Sequence, residues 1–176
     1  MSRPHASVFL ASSLDGFIAR ADGGIDWLAV VERPNEDYGI KAFYDSVDTI
    51  VMGRKTYEVG LGFDPWPYAK MRCVVVTSDT TKTPRHGEEF YSGELSLLFE
   101  RLGAEGARRL YVDGGIVIAQ ALRAGLVDDI TVSIIPVVLG EGIPLAPKLG
   151  ADVGLALVEH RAFESGLVQL KYRVTR

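Results

Sequence analysis

Residues 49–58 read Thr-Ile-Val-Met-Gly-Arg-Lys-Thr-Tyr-Glu, and their pattern sets the fold class. Thr49–Met52 is a short unbroken apolar run, which suits a strand covered on both faces. Gly53 ends the run, and a short helix is expected from Lys55 to about Val59. A strand that stops at glycine and turns straight into a helix is the repeating junction of an α/β sheet. At such a junction glycine permits close backbone approach, and the first N–H groups of the helix lack partners and can face an anion. Arg54 and Lys55 add positive charge, and Thr56 adds a hydroxyl. Two readings stand for Gly53–Thr56: a phosphate-holding turn, or a solvated basic turn that starts a helix.

The same pattern recurs on either side. Ser7–Ala11 reads as a first strand, followed by a loop through Asp22-Gly23-Gly24. Residues 35–46 read as a helix, because Tyr38, Ala42, Phe43 and Ser46 can share a face. Arg72–Thr77 reads as a buried strand ending at Thr77-Ser78. Residues 94–102 read as a helix with Leu95, Leu98, Phe99 and Leu102 on one side. Leu110–Val112 is a strand stopping at Asp113-Gly114-Gly115, and Ile116–Ala124 a helix closed by Gly125. Asp129–Ile135 is a strand ended by Pro136. Segments 155–164 and 167–174, split by Ser165-Gly166, read as a hairpin. The expected architecture is one α/β domain over residues 1–176, with a mainly parallel central sheet flanked by helices and an antiparallel C-terminal hairpin. In such sheets ligands bind beyond the carboxyl ends of the strands. Three strand ends therefore become candidates: Gly53-Arg54-Lys55-Thr56, Thr77-Ser78 and Asp113-Gly114-Gly115.

Composition narrows the function classes. The chain has 176 residues, 47% of them hydrophobic and 24% charged, with a formal net charge of -4. A globular domain of that size buries an ordinary core. The negative balance gives no reason to expect nucleic acid or an anionic membrane as partner. The single cysteine, Cys73, sits in the run Cys73-Val74-Val75-Val76 and reads as a core thiol. No secretory signal pattern or bilayer-length apolar stretch is visible, so a cytoplasmic location is the expectation. His5, His86 and His160 have no ligand spacing, and no metal is expected.

The three strand ends together identify the chain as similar to a family. Met52-Gly53-Arg54-Lys55-Thr56-Tyr57-Glu58 resembles the segment that holds the adenine-nucleotide end of NADPH in dihydrofolate reductases. Ser13-Leu14-Asp15-Gly16-Phe17-Ile18-Ala19 resembles the SLDG segment of the riboflavin-biosynthesis reductase domain, and residues 136–142 resemble the same branch. The order holds over nearly the whole chain, and the best match is to stand-alone proteins like the RibD C-terminal domain. The resemblance implies a dihydrofolate-reductase-like fold, an NADPH-dependent reduction of a small heteroaromatic (pterin- or pyrimidine-like) or carbonyl substrate, and a homodimer. A nucleotide-binding module that has lost catalysis and acts as sensor or partner is the alternative.

By position, the resemblance places Ala11 and Ile18 beside the nicotinamide, with Ser13–Gly16 in a loop over the cofactor. Gly53, Arg54, Lys55, Thr56, Thr77 and Ser78 would hold the phosphates of the nucleotide end. Gly114, Gly115 and Ile116 would wrap the pyrophosphate. The proton donor is left between Asp37, on the 35–46 helix, and Asp26, beside Trp27. Either carboxyl would need burial to be protonated near neutral pH. Trp27, Lys41 and Phe43 are the expected substrate contacts. Three departures from the family pattern bear on substrate: Phe9 stands where a lysine is usual in the riboflavin branch, Lys41 where a pterin-packing aromatic is common, and Ile116-Val117 where a basic residue often follows the glycine turn.

Overall fold

The computed structural model describes residues 3–175. In chain order the elements are β1 (His5–Ser13), β2 (Phe17–Ala19), a 3-10 helix (Asp26–Val31), α1 (Ile40–Ser46), β3 (Thr49–Gly53), α2 (Arg54–Gly60), β4 (Arg72–Val76), β5 (Glu89–Tyr91), α3 (Leu95–Ala104), β6 (Arg109–Asp113), α4 (Gly115–Arg123), β7 (Asp129–Ile135), β8 (Ile143–Pro144), β9 (Gly154–Ala162) and β10 (Val168–Thr175). Eight strands form one sheet in the order β5-β4-β3-β6-β1-β7-β10-β9, and β2 pairs with β8 separately. The pairings from β5 through β7 are all parallel. Within that sheet β10 and β9 run antiparallel to their neighbours, and the separate β2–β8 pair is antiparallel too. This is the mainly parallel α/β sheet with an antiparallel C-terminal hairpin that the strand–glycine–helix pattern calls for.

Alternation along the central strands divides the core. Val51, Val74 and Val112 face Leu98, Phe99, Leu102, Ile118 and Leu122 of α3 and α4. Ile50, Met52, Cys73, Val75 and Tyr111 face the other way, toward Tyr57 and Tyr68, with Phe43 and Tyr44 of α1 packed on them. A period of two within each strand makes both faces apolar, which is why the strands read as unbroken hydrophobic runs. Cys73 is a core thiol as expected, and burial pushes its ionisation up to about 12.

Two local differences matter for the site. The helix expected over residues 35–46 starts only at Ile40. Asn35, Tyr38 and Gly39 take left-handed backbone angles (φ 65°, 53° and 82°), which a right-handed helix cannot contain. Strand β5 was not expected, since its three residues are too few to show a period. The C-terminal hairpin is well formed, but its outer strand β9 is exposed along most of its length.

Candidate active site

A cavity of about 1500 Å³ lies across the carboxyl ends of the parallel strands. Its wall includes Thr77 and Ser78 after β4, Gly53 through Thr56 after β3, Asp113 through Ile116 after β6, Phe9 and Ala11 of β1, and Ser133 and Ile135 of β7. The strand order β4-β3-β6-β1-β7 therefore orders the cavity. One end holds the charged and hydroxyl groups of the β3 and β4 junctions. The other is closed by β1, β7, the 3-10 helix and α1.

At the first end, Gly53 hands over from β3 to α2, and no side chain caps that helix. Arg54 Nε donates to Glu58 Oε1 at 2.7 Å, an exposed pair one helical turn apart, and Lys82 lies 3.6 Å from the same carboxylate. Lys55 and Ser78 are both exposed and line the same end of the cavity. The backbone N–H of Asp79 donates to Thr77 Oγ1. Ser92 and Gly93, after β5, complete this rim. They escaped the sequence reading because β5 itself was not legible.

The glycine pair has a physical reason in the protein's own packing. Gly114 has φ 91°, and a Cβ there would lie 2.7 Å from Thr56 Oγ1. A Cβ on Gly115 would lie 2.5 Å from the carbonyl oxygen of Pro144. The pair lets α4 start against α2 on one side and the β8 segment on the other. No side chain caps the amino end of α4 either. That segment is also tied to the Ser13–Gly16 turn: Asp15 accepts from the N–H groups of Leu139 and Gly140 at 3.0 and 2.7 Å, and Leu145 N–H donates to Gly16 O. A hydrogen bond from Ser13 first, and those from Leu139 and Gly140 with it, hold the Asp15 carboxyl down at about 2.

All eleven residues expected to hold the cofactor line this one cavity: Ala11, Ile18, Gly53, Arg54, Lys55, Thr56, Thr77, Ser78, Gly114, Gly115 and Ile116. The expected acids and substrate contacts do not. Asp37 is exposed, and its carboxylate accepts from the N–H groups of Gly39 and Lys41 at 3.0 and 3.2 Å. It caps the late-starting helix, and those hydrogen bonds lower its pKa instead of raising it. Asp26 is paired with Arg20 at 2.7 Å on the surface and is likewise lowered. Neither carboxyl has the burial that a proton donor near neutral pH requires. Lys41 points to Asp45 at 2.7 Å, one turn along α1 and away from the cavity. Phe43 stacks on Phe9 with ring centres 4.7 Å apart and sits edge-on to Tyr111, so it supports the wall from behind. From α1 it is Ile40 and Tyr44, four residues apart, that reach the cavity. Trp27 is 5% exposed and packs behind Val31, Ile135 and Leu167, which do line it. Its Nε1 has no hydrogen-bond partner.

Three acids line the cavity, Glu32, Glu36 and Asp113, and of these Asp113, at the end of β6, is the one set among aromatic rings. Tyr44, Tyr68 and Tyr111 line the same stretch. Burial pushes the Asp113 carboxyl above the ordinary carboxylate range, partly offset by hydrogen bonds from Gly114 N–H, at 2.8 Å, and from Tyr111. All three tyrosines are raised as well, Tyr44 to about 12, with desolvation the main cause and the Asp113 charge a second. The Tyr111 hydroxyl is shared between the Asp113 carboxyl and Phe9 O, to which it also donates at 3.0 Å. The sequence reading took Asp113 as the first residue of a glycine turn. Its burial depends on rings supplied by α1, the loop before β4 and β6, and no local signal carries that.

The geometry is that of a reductase fold, and the comparisons agree. The chain is 34% identical to the uncharacterized protein YwjB of Bacillus subtilis (strain 168) over 167 residues, covering 94% of this chain and 95% of that one. A candidate riboflavin biosynthesis protein from Shewanella sp. PV-4 superposes with a TM-score of 0.91 at 34% identity, covering 98% of this chain and 99% of that chain. Two more distant structures share the fold. One is a diaminohydroxyphosphoribosylaminopyrimidine deaminase/5-amino-6-(5-phosphoribosylamino)uracil reductase from Thermotoga maritima, with TM-score 0.73, 14% identity, and 98% of this chain against 57% of that one. The other is Enterococcus faecalis dihydrofolate reductase complexed with NADP(H), with TM-score 0.69, 21% identity, and coverage of 98% and 97%. The RibD C-terminal domain family matches residues 4–169. Fold, cavity and sequence thus agree that this chain belongs to the RibD C-terminal domain family.

Proposed function

We propose that the protein is an NADPH-dependent reductase that passes a hydride to a pyrimidine- or pterin-like heteroaromatic or to a carbonyl carbon. One observation carries this reading: a single cavity joins a basic, hydroxyl-rich rim at the β3 and β4 ends to a half-buried carboxyl with a raised pKa at the β6 end. The residues fit the cofactor. Arg54, Lys55, Thr56 and Ser78 supply the charge and hydroxyl donors that an adenosine 2′-phosphate needs. The uncapped amino end of α4, reached through Gly114 and Gly115, suits the pyrophosphate. Ala11 and Ile18 suit the nicotinamide end. Bound NADPH supplies the hydride, and the protein's own contribution is orientation, exclusion of water and a proton.

Asp113 is the group we assign to that proton. A carboxyl kept neutral by burial can donate a hydrogen bond to a ring nitrogen or carbonyl oxygen, or pass a proton to it. Tyr111 orients it from below. NADPH consumption with a panel of heteroaromatic and carbonyl compounds tests the reading directly. Asp113→Asn should lower turnover about a hundredfold or more while leaving NADPH affinity within about twofold. Tight NADPH binding without turnover on any compound would instead support a sensor or partner role. We also propose a homodimer, because β9 presents Leu155, Leu157 and Val158 to solvent at the sheet edge. A monomeric mass by light scattering at micromolar concentration would refute it.

A further inference from the structure

We infer that the substrate of this site carries no phosphate and binds as a flat, uncharged ring compound. The inference rests on the reductase reading above and concerns the β1–β7 end of the same cavity. Among the described residues that line the cavity, the cationic side chains are Arg33, Arg54 and Lys55. The last two stand at the β3 junction, the end assigned to the nucleotide. At the opposite end Phe9, Leu28, Val31, Ile135 and Leu167 form an apolar wall. Phe9 is held there by its stack on Phe43, so the place is filled by carbon.

Among the lining residues described, Arg33 is the cation at that end, and one of its nitrogens folds back on its own segment. Its Nη1 donates to the carbonyl oxygens of Glu32 and Val30 at 2.7 and 3.3 Å. The Glu32 and Glu36 carboxylates line the cavity beside it, so the local formal charge of these three is negative. Three backbone donors before and at the start of α1 are also taken. The N–H groups of Gly39 and Lys41, at the start of α1, are taken by Asp37, and that of Tyr38 is taken by Glu36 at 2.9 Å. The chain's own carboxylates thus occupy the donors that an anion would need, and a phosphate dianion would add repulsion from both glutamates. An uncharged ring has the opposite fit: apolar faces against Ile135 and Leu167, and one polar edge toward Asp113 and Ser133. The Thermotoga maritima protein of the same fold is named for a phosphoribosylated uracil, so this chain would have parted from it in substrate.

Binding of matched pairs separates the two cases. Calorimetry on the whole protein, with and without saturating NADPH, would compare a ribosylaminouracil with its phosphate ester, and riboflavin with its phosphate ester. The phosphate-free member of at least one pair should bind at least tenfold more tightly, about 1.4 kcal/mol. Leu28→Lys, on the partly exposed wall, should shrink or reverse that preference. The inference is overturned if the esters bind as tightly or more tightly, or if no member of either pair binds. NADPH binding is read in the same titrations. Its failure alone would remove the reductase reading and leave the preference at the apolar end still measured.

Discussion

Gly115→Ala and Gly53→Ala should behave oppositely, because the two glycines are needed for different reasons. A Cβ on Gly115 would lie 2.5 Å from Pro144 O and 3.4 Å from Leu145 O. Both are backbone atoms, so relief requires α4 or the β8 segment to move. Overpacking of this kind costs about 1–3 kcal/mol. Gly115 is the first residue of α4, where alanine gains less than it would in mid-helix, and a net loss of about 1–2 kcal/mol is expected within that range. For a domain of this length that lowers Tm by about 2–8 °C. At Gly53 the nearest atom to an added Cβ is Val117 Cγ2 at 3.4 Å, an ordinary contact, and φ is -77°, which alanine adopts freely. Gly53→Ala should therefore leave Tm unchanged or raise it by no more than about 4 °C, since the unfolded-state gain is below about 1 kcal/mol. It faces the cavity, however, and should weaken NADPH binding about tenfold if the cofactor backbone passes against it. Calorimetric melting of both variants and fluorescence titration with NADPH make the comparison. An unchanged Tm for Gly115→Ala would show that the packing argument is wrong. Full NADPH affinity in Gly53→Ala would remove Gly53 from the cofactor site.

Three further outcomes are expected. Arg54→Ala should weaken NADPH binding about tenfold, the scale of one charge-assisted hydrogen bond, and leave NADH binding unchanged; equal losses for both cofactors in parallel titrations would refute its role at the 2′-phosphate. Asp37→Ala should cost about 1 kcal/mol of stability through loss of the helix cap and leave turnover intact, so a large fall in turnover at unchanged NADPH affinity would return Asp37 to the chemistry. Asp113 has a raised folded-state pKa, so the stability tied to its neutral form is present at low pH and is lost as pH rises through that folded value. Asp113→Asn should then be relatively more stable than the parent toward alkaline pH, and denaturant midpoints of the two proteins that track in parallel between acid and alkaline buffer would show that the carboxyl is not buried as described.

The β3–β4–β6 end of the cavity, proposed above for the nucleotide, was legible in the sequence because each of its parts is local. An apolar run, a glycine and a helix start lie within about eight residues of one another, and a parallel sheet brings every such junction to the same edge. Gly53–Thr56, Thr77-Ser78 and Gly114-Gly115 therefore share a cavity once the strand order is β4-β3-β6. The substrate end was not legible, because side-chain direction there depends on where irregular segments begin and end. The positive φ of Tyr38 and Gly39 delays α1 to Ile40, which turns Asp37 into a cap and gives the cavity Ile40 and Tyr44 in place of Lys41 and Phe43. A one-residue change of phase sends Leu28 to the cavity and Trp27 to the core behind it. The surroundings of Asp113 are wholly tertiary. It stands in a turn motif like many others, and it is the three tyrosine rings gathered from separate elements that desolvate its carboxyl and raise its pKa.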